Sequence, residues 1–190
     1  GCAMFQLGPK GTASVAYDDN KLMKNHHGGM VVLDGHVYGF DEGVLRCLNL
    51  KTGAVNEGYL SDTITEFGMI DQHRAGVPYR YVYSVVPTKG MFTFDGLIKH
   101  DVHSGSMQTY RFPDGTYCSE TVFAPRPNAS SEDDGYLLTY TSDIVNDESH
   151  CMVFDARNPG DGPIARVRLP ERICSGTHAY WADATTLTPA

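Results

Sequence analysis

Apolar residues recur at every second position in short runs along this chain, and Gly, Pro, Asn and Asp clusters break the runs. That period belongs to half-buried strands, and the spacing of an amphipathic helix is almost absent. The stretch GMVVLDGHVYGF (29–40) predicts two short strands around an Asp34-Gly35 hairpin turn. RYVYSVV (80–86), GYLLTYTSD (135–143) and HCMVFDA (150–156) predict further strands. The expected fold class is all-β.

A repeat refines that expectation. LRCLNLKTGAV (45–55), LIKHDVHSGSM (97–107) and CMVFDARNPGDGPIARV (151–167) each run from an apolar strand through Asn or Asp into a Gly-containing turn. Asn49, Asp101 and Asp155 hold the equivalent place, at spacings of 52 and 54 residues. A period of roughly 50 residues per four-stranded unit is propeller-blade spacing. The polar residue and its turn would close a hairpin, and the apolar strands would pack on neighbouring blades. Chance likeness among ordinary hairpins is the alternative. At that period 190 residues hold three to four blades, the low end for a closed ring. The expectation is a partial β-propeller: a small ring, or part of a larger one whose upstream blades lie elsewhere.

Composition narrows the function. The net charge of −8 argues against a nucleic-acid surface, which needs clustered Lys and Arg. No apolar run approaches the roughly 20 residues that span a membrane as a helix, and no secretory signal is visible. The chain opens on Gly, which leaves an upstream segment open. Cys2, Cys47, Cys118, Cys151 and Cys174 are odd in number and widely spaced, unlike the close pairs of a zinc site. They predict free thiols in a reducing compartment, with the cytoplasm as the expected location.

The stretch RLPERICSGTHAYW (168–181) leads a Gly and a polar run into His178, which is either packed in a core or one corner of a metal site. The adjacent His26 and His27 would face opposite sides of a strand and cannot easily share one metal. His100 and His103 flank a turn, where solvent exposure is expected. His36 falls in the Asp34-Gly35 turn, and His73 and His150 have no ligand-like neighbours in sequence. Nothing near Cys174 would activate it as a nucleophile. SSEDDG (130–135) lacks the alternating ligands of a calcium loop and reads as a hairpin turn. Glu66 and Glu120 are either solvated strand-end charges or buried carboxylates. Their apolar neighbours (Phe67, Met69, Val122, Phe123) favour burial, and a buried carboxylate needs a partner.

From about Tyr59 to Trp181 the chain carries, in order, TEFGMIDQHRAGVPYRYVYSV, GLIKHDVHSG, CSETVFAPRPNASSEDDGYLLT, MVFDARN and IARVRLPERICSGTHAYW. This series resembles the C-terminal part of the carotenoid cleavage oxygenases, the group that includes lignostilbene dioxygenases. The resemblance implies a seven-bladed propeller with Fe(II) held by histidines from different blades. It assigns His178, in the Gly-Thr-His motif, as an iron ligand, with the other ligands upstream of this chain. It assigns Glu66 and Glu120 as carboxylates that accept hydrogen bonds from liganding imidazoles. Thr121 departs from the family, which has Pro there. The implied activity is cleavage of a conjugated carbon–carbon double bond by O2, on a carotenoid, apocarotenoid or stilbene. Phe92, Phe94, Tyr180 and Trp181 could line an apolar tunnel, although core packing is the commoner fate of such residues.

The first 55 or so residues differ. NKLMKNHHGGMVVLDGHVYGFDEGVLRCLNLKTGAV resembles a repeat of the pyrroloquinoline-quinone-type propellers, without that repeat's tryptophan. The domain expectation is a blade-like segment over 1–57 and oxygenase-like blades over 58–190, with a junction between Ala54 and Tyr59. A fusion, a misassembled reading frame and a natural recombination all fit such a junction. The rival functional class is a non-catalytic propeller scaffold of the quinoprotein-repeat type.

Overall fold

The structure, a computed structural model, describes residues 2–24, 29–42, 44–55, 61–174 and 176–184. Among them are fourteen strands and three short 3-10 turns, and no α-helix. The chain forms two compact units, Gly1–Tyr59 and Leu60–Ala190.

In the first unit β1 (Cys2–Leu7) pairs antiparallel with β2 (Ala13–Asp19). Strands β3 (Val31–Leu33), β4 (His36–Asp41) and β5 (Val44–Asn49) form a separate antiparallel meander. Asp34 and Gly35 join β3 to β4 with φ of 48° and 74°. Positive φ at both central positions is the turn that suits the twist of a two-residue hairpin.

The second unit is one nine-stranded sheet made of two propeller-blade meanders, of four and five strands. The first is β6 (Glu66–Met69), β7 (Tyr81–Pro87), β8 (Phe94–Asp101) and β9 (Met107–Arg111). In the second, β10 (Thr116–Cys118) and β11 (Val122–Pro125) both pair with β12 (Gly135–Asp143). Strands β13 (Glu148–Asp155) and β14 (Pro163–Arg168) complete it.

The repeat read in the sequence is a physical device. Asn49, Asp101 and Asp155 each end a strand, β5, β8 and β13 respectively. Asn49 Oδ1 accepts the backbone N–H of Lys51 and of Thr52, both at 3.1 Å. Asp101 Oδ1 accepts those of His103 at 3.0 Å and Ser104 at 3.3 Å. Asp155 Oδ1 accepts that of Arg157 at 2.9 Å. A short polar side chain thus stands in for backbone acceptors and sets the turn that follows the strand. Gly53 and Gly105 finish two of these turns with φ of 69° and 72°, and each donates its N–H to the carbonyl of Asn49 or Asp101. The third turn uses Pro159–Asp161 and Gly162 instead.

The core of the second unit is shared by both blades. Tyr83 and Val85 from β7, Leu97 from β8, Leu137 from β12 and Met152 and Phe154 from β13 are all buried in one cluster. Tyr83 stacks flat on Phe123 with ring centroids 5.6 Å apart. Strand β12 alternates strictly, its odd positions buried, as a strand with one inward face must. Strand β8 does not alternate. From Gly96 to Asp101 every residue is buried, which places His100 inside rather than in a solvated turn. His103, in the turn itself, is exposed as expected.

The turn at 130–134 is a turn, and it also ties the blades together. Glu132 Oε1 accepts the backbone N–H of Arg80 at 2.7 Å and of Tyr81 at 2.8 Å. Asp133 pairs with Lys99 at 2.6 Å, and Asp134 with Arg157 at 2.8 Å. The Arg80 guanidinium, bonded to both oxygens of Asp101, holds that carboxyl well below the usual range. Burial works against ionisation of Asp133, but hydrogen bonds from Lys99 and Ser131 outweigh it and keep the carboxyl low. The Ser130 N–H lowers Asp134, and Asn146 lowers Asp143. His100 is shifted in the same direction by a different cause: burial lowers its pKa and favours the neutral ring.

The signs fix the expected pH profile. Both kinds of group bind fewer protons folded than unfolded, so stability falls as pH falls. The loss from His100 begins below its ordinary value of 6.5, and that from the carboxyls below 3.8. Urea midpoints should therefore decline in two limbs, a shallow one below about pH 6.5 and a steep one below about pH 4. His100→Phe should remove the first limb only. A midpoint constant down to pH 3 would contradict the network.

Candidate metal centre

Glu66 and Glu120 both sit at irregularities in the first strand of a blade. Between the pairs Glu66–Val85 and Met69–Tyr83, two residues of β6 stand opposite one of β7. Between Cys118–Thr141 and Val122–Leu138, three residues of the inner chain (119–121) stand opposite two of β12. Each is a β-bulge, a device that bends a strand and re-aims a side chain, often beside a functional site. The glutamates are 54 residues apart, the same interval that separates Asp101 from Asp155. They are the same blade position used twice. That shared interval was present in the sequence as a signal for the pair.

The two carboxylates differ in environment. Glu120 is buried, at 6% exposure, and its Oε2 accepts the backbone N–H of Ala179. Glu66 is exposed, against the expectation of burial, and has no hydrogen bond or ion pair with the described residues. The reason is the period of two: on β6 it is Phe67 and Met69 that turn inward, while Glu66 and Gly68 face out.

His178 stands beside Glu120. Its Nδ1 lies 3.6 Å from Glu120 Oε2, an ion-pair distance, and its side chain is 80% exposed. The Phe67 ring packs edge-on against the imidazole with centroids 5.5 Å apart. Phe67 has φ of 52°, a left-handed backbone that costs a bulky residue of order 1–3 kcal/mol. That strain sits next to Glu66 and in contact with His178. His178 is therefore not a core histidine.

The geometry fits one corner of a metal site. A ligating histidine characteristically turns one ring nitrogen to a carboxylate and presents the other to the metal. Here Nδ1 faces the buried Glu120, and Nε2 has no partner among the described residues. No group of three or more His, Cys, Asp or Glu side chains among the described residues could hold a metal ion.

The other candidates fall elsewhere. His73 is not alone: its Nδ1 is 3.0 Å from Asp71 Oδ1, and its Nε2 3.6 Å from Asp183 Oδ2. His150 is buried, with Nε2 3.3 Å from Glu148. His36 bonds the Asp34 carbonyl at 2.9 Å. His26 and His27 lie outside the described residues. All five cysteines are free, and burial pushes the Cys118 thiol up to about 12, so it is an inert packing group. Phe94 is a core residue, Phe92 and Tyr180 are exposed, and Trp181 is half-buried.

Comparison with known proteins gives this arrangement its context. The family model of the retinal pigment epithelial membrane protein, RPE65, matches residues 19–183, and so runs through the stretch that resembles a quinoprotein repeat. A carotenoid 9,10(9',10')-cleavage dioxygenase of Crocus sativus is 32% identical over 154 residues, covering 73% of this chain. Lignostilbene-alpha,beta-dioxygenase isozyme III of Sphingomonas paucimobilis is 32% identical over 139 residues, covering 67% of it. This chain spans 28% of the length of each. The cobalt-substituted apocarotenoid oxygenase of Synechocystis superposes on 93% of this chain and 42% of its own, with a TM-score of 0.71 at 20% identity. That likeness is one of fold, and the fold is the propeller. With the family model matching most of its length, the chain belongs to the RPE65 family, that of the carotenoid cleavage oxygenases.

Proposed function

We propose that this chain is the C-terminal part of a non-haem Fe(II) dioxygenase that cleaves a conjugated carbon–carbon double bond of a carotenoid, apocarotenoid or stilbene. One double bond and one O2 become two carbonyl groups. The observation that carries the reading is His178, exposed beside a buried carboxylate at a blade bulge, with Nε2 unpartnered among the described residues. Bound iron would supply the activation of O2, since imidazole ligands suit Fe(II) and open coordination positions admit O2 and substrate. The residues of this chain position. Glu120 accepts the Ala179 amide and faces Nδ1 at 3.6 Å, a place from which a shortened hydrogen bond in the metal-bound enzyme would fix the tautomer and the aim of Nε2. Glu66, at the same place in the preceding blade and without a side-chain partner among the described residues, is suited to a second imidazole from upstream blades.

Residues 58–190 would form the last blades of that enzyme and residues 1–57 a blade-like segment before them. The two compact units support this division. Five free cysteines suit a reducing cytoplasm, and no helix among the described residues is long and apolar enough to cross a membrane.

Metal analysis tests the reading. One imidazole cannot hold Fe(II) against water and buffer, so the chain alone should carry no stoichiometric iron. Added upstream blades with their histidines should confer iron binding and cleavage. His178→Ala should abolish both, and Glu66→Ala or Glu120→Ala should weaken iron binding by roughly 10- to 100-fold. Iron unchanged by His178→Ala in the complemented assembly would overturn the assignment.

A further inference from the structure

His178 lies in the stretch 172–183, whose described residues contribute no strand. No sheet ladder fixes its position, and its side chain is 80% exposed. Yet a metal ligand must stand within about 0.5 Å of its productive place. The question is what holds it.

Two fixings bracket it, one on each blade. Upstream, Arg172 Nη1 donates to the Asp143 carbonyl at 3.3 Å, to the Glu148 carbonyl, and to Ser149 Oγ at 3.4 Å. Its Nε faces Asp147 Oδ1 at 3.1 Å, and the next residue, Ile173, donates its N–H to Ser149 Oγ at 3.1 Å. All these acceptors lie on the β12–β13 hairpin of the second blade. Downstream, Trp181 Nε1 donates to Asp183 Oδ1 at 3.2 Å, and Asp183 Oδ2 lies 3.6 Å from His73 Nε2. His73 is itself held by Asp71, which accepts both its backbone N–H at 3.1 Å and its ring nitrogen at 3.0 Å. That turn belongs to the connection after β6, in the first blade.

We infer that residues 172–183 are a strap pinned across two blades, and that Arg172 and the Asp183–His73 pair are positioning residues for His178. They hold the imidazole where Glu120 can orient it and Phe67 can support its edge. The inference rests on the reading of His178 as a metal ligand, but the placing of the ring can be measured without any metal. Releasing either pin leaves His178 to the other pin, the Ala179–Glu120 bond and the Phe67 ring contact. The histidine then samples many positions, and the share competent to bind metal falls. Arg suits the upstream pin because its planar guanidinium presents Nη1 and Nε to acceptors on different sides, whereas a lysine ammonium is one compact point charge.

The test begins on the 190-residue chain without metal. Proton NMR reads the contact between the Phe67 and His178 rings, and hydrogen exchange reads protection of the Ala179 amide. Arg172→Ala and Asp183→Ala should each remove the ring contact and speed Ala179 exchange at least tenfold. Arg172→Lys should recover part of both. Phe112→Leu, a core substitution, should lower thermal stability by as much while leaving both readouts unchanged. In the assembly completed with upstream blades, the two Ala variants should weaken Fe(II) binding by 10- to 100-fold. Unchanged ring contact and amide protection in both variants would overturn the strap. Loosened contacts with unchanged iron affinity would overturn its positioning role, while loss of iron in His178→Ala kept the metal reading intact. Iron unaffected by His178→Ala would overturn the metal reading alone, and the NMR readouts would still decide the strap.

Discussion

Lys99→Ala should cost about 3–5 kcal/mol in urea denaturation, the loss expected when one partner of a buried ion pair is removed. Against a typical total of roughly 5–15 kcal/mol, that is a large share of the stability. Lys99 sits in the middle of β8 with only 5% of its side chain exposed. Its ammonium pairs with Asp133 Oδ2 at 2.6 Å, donates to the Arg157 carbonyl at 3.1 Å, and lies 4.1 Å from the centre of the Tyr81 ring. The three partners come from both blades, so removing it strands Asp133 and opens the joint. Lys99→Met with Asp133→Leu should recover most of the loss, since replacing a whole buried pair by apolar groups is often neutral or better. A single-variant loss below about 1 kcal/mol would mean that water screens the pair as it does at a surface.

That joint explains what was and was not legible in the sequence. Local chemistry was readable. The Asp34-Gly35 turn, the strand over 135–143 and the Asn49, Asp101 and Asp155 turns are each decided by neighbours a few residues away. SSEDDG was readable as a turn for the same reason. Its use as a staple was not, because Glu132 serves Arg80 and Tyr81, and Asp133 serves Lys99, 52, 51 and 34 residues away. His100 was misjudged because β8 is covered on both sides, and a strand buried on both faces gives no alternation to read. Glu66 was misjudged in the opposite sense: apolar neighbours on a strand do not bury the residue between them, since alternate side chains face opposite ways. The pairing of His178 with Glu120 spans 58 residues, and only resemblance to a family pointed to it before the structure brought the two together. His73 and its two aspartates were invisible because Asp183 reaches it from the far end of the chain.

Gly135→Ala should destabilise the chain by about 3 kcal/mol, the upper end for a single added methyl in a close-packed site. Gly135 begins β12 opposite Pro125, with ordinary strand geometry, so its need is for space and not for an unusual φ. A Cβ there would fall 2.5 Å from the Ala124 carbonyl oxygen and 2.6 Å from Phe123 Cζ. Neither obstacle can withdraw. The carbonyl belongs to the strand paired with β12, and the Phe123 ring is stacked on Tyr83, which is buried at 1% exposure. The backbone must therefore part, and the adjoining Asp134 loses its place against Arg126 and Arg157. Gly68→Ala is the control. Its nearest contacts would be ordinary ones, at 3.6 and 3.7 Å, and removing a strand glycine should be neutral or slightly favourable. Adding Phe123→Leu to Gly135→Ala separates the two obstacles, because it shortens the ring but leaves the carbonyl. The double variant should stay well below the parent in urea midpoint. Full recovery would mean that the ring alone excludes the methyl, and that the β11–β12 ladder yields more readily than its hydrogen bonds imply.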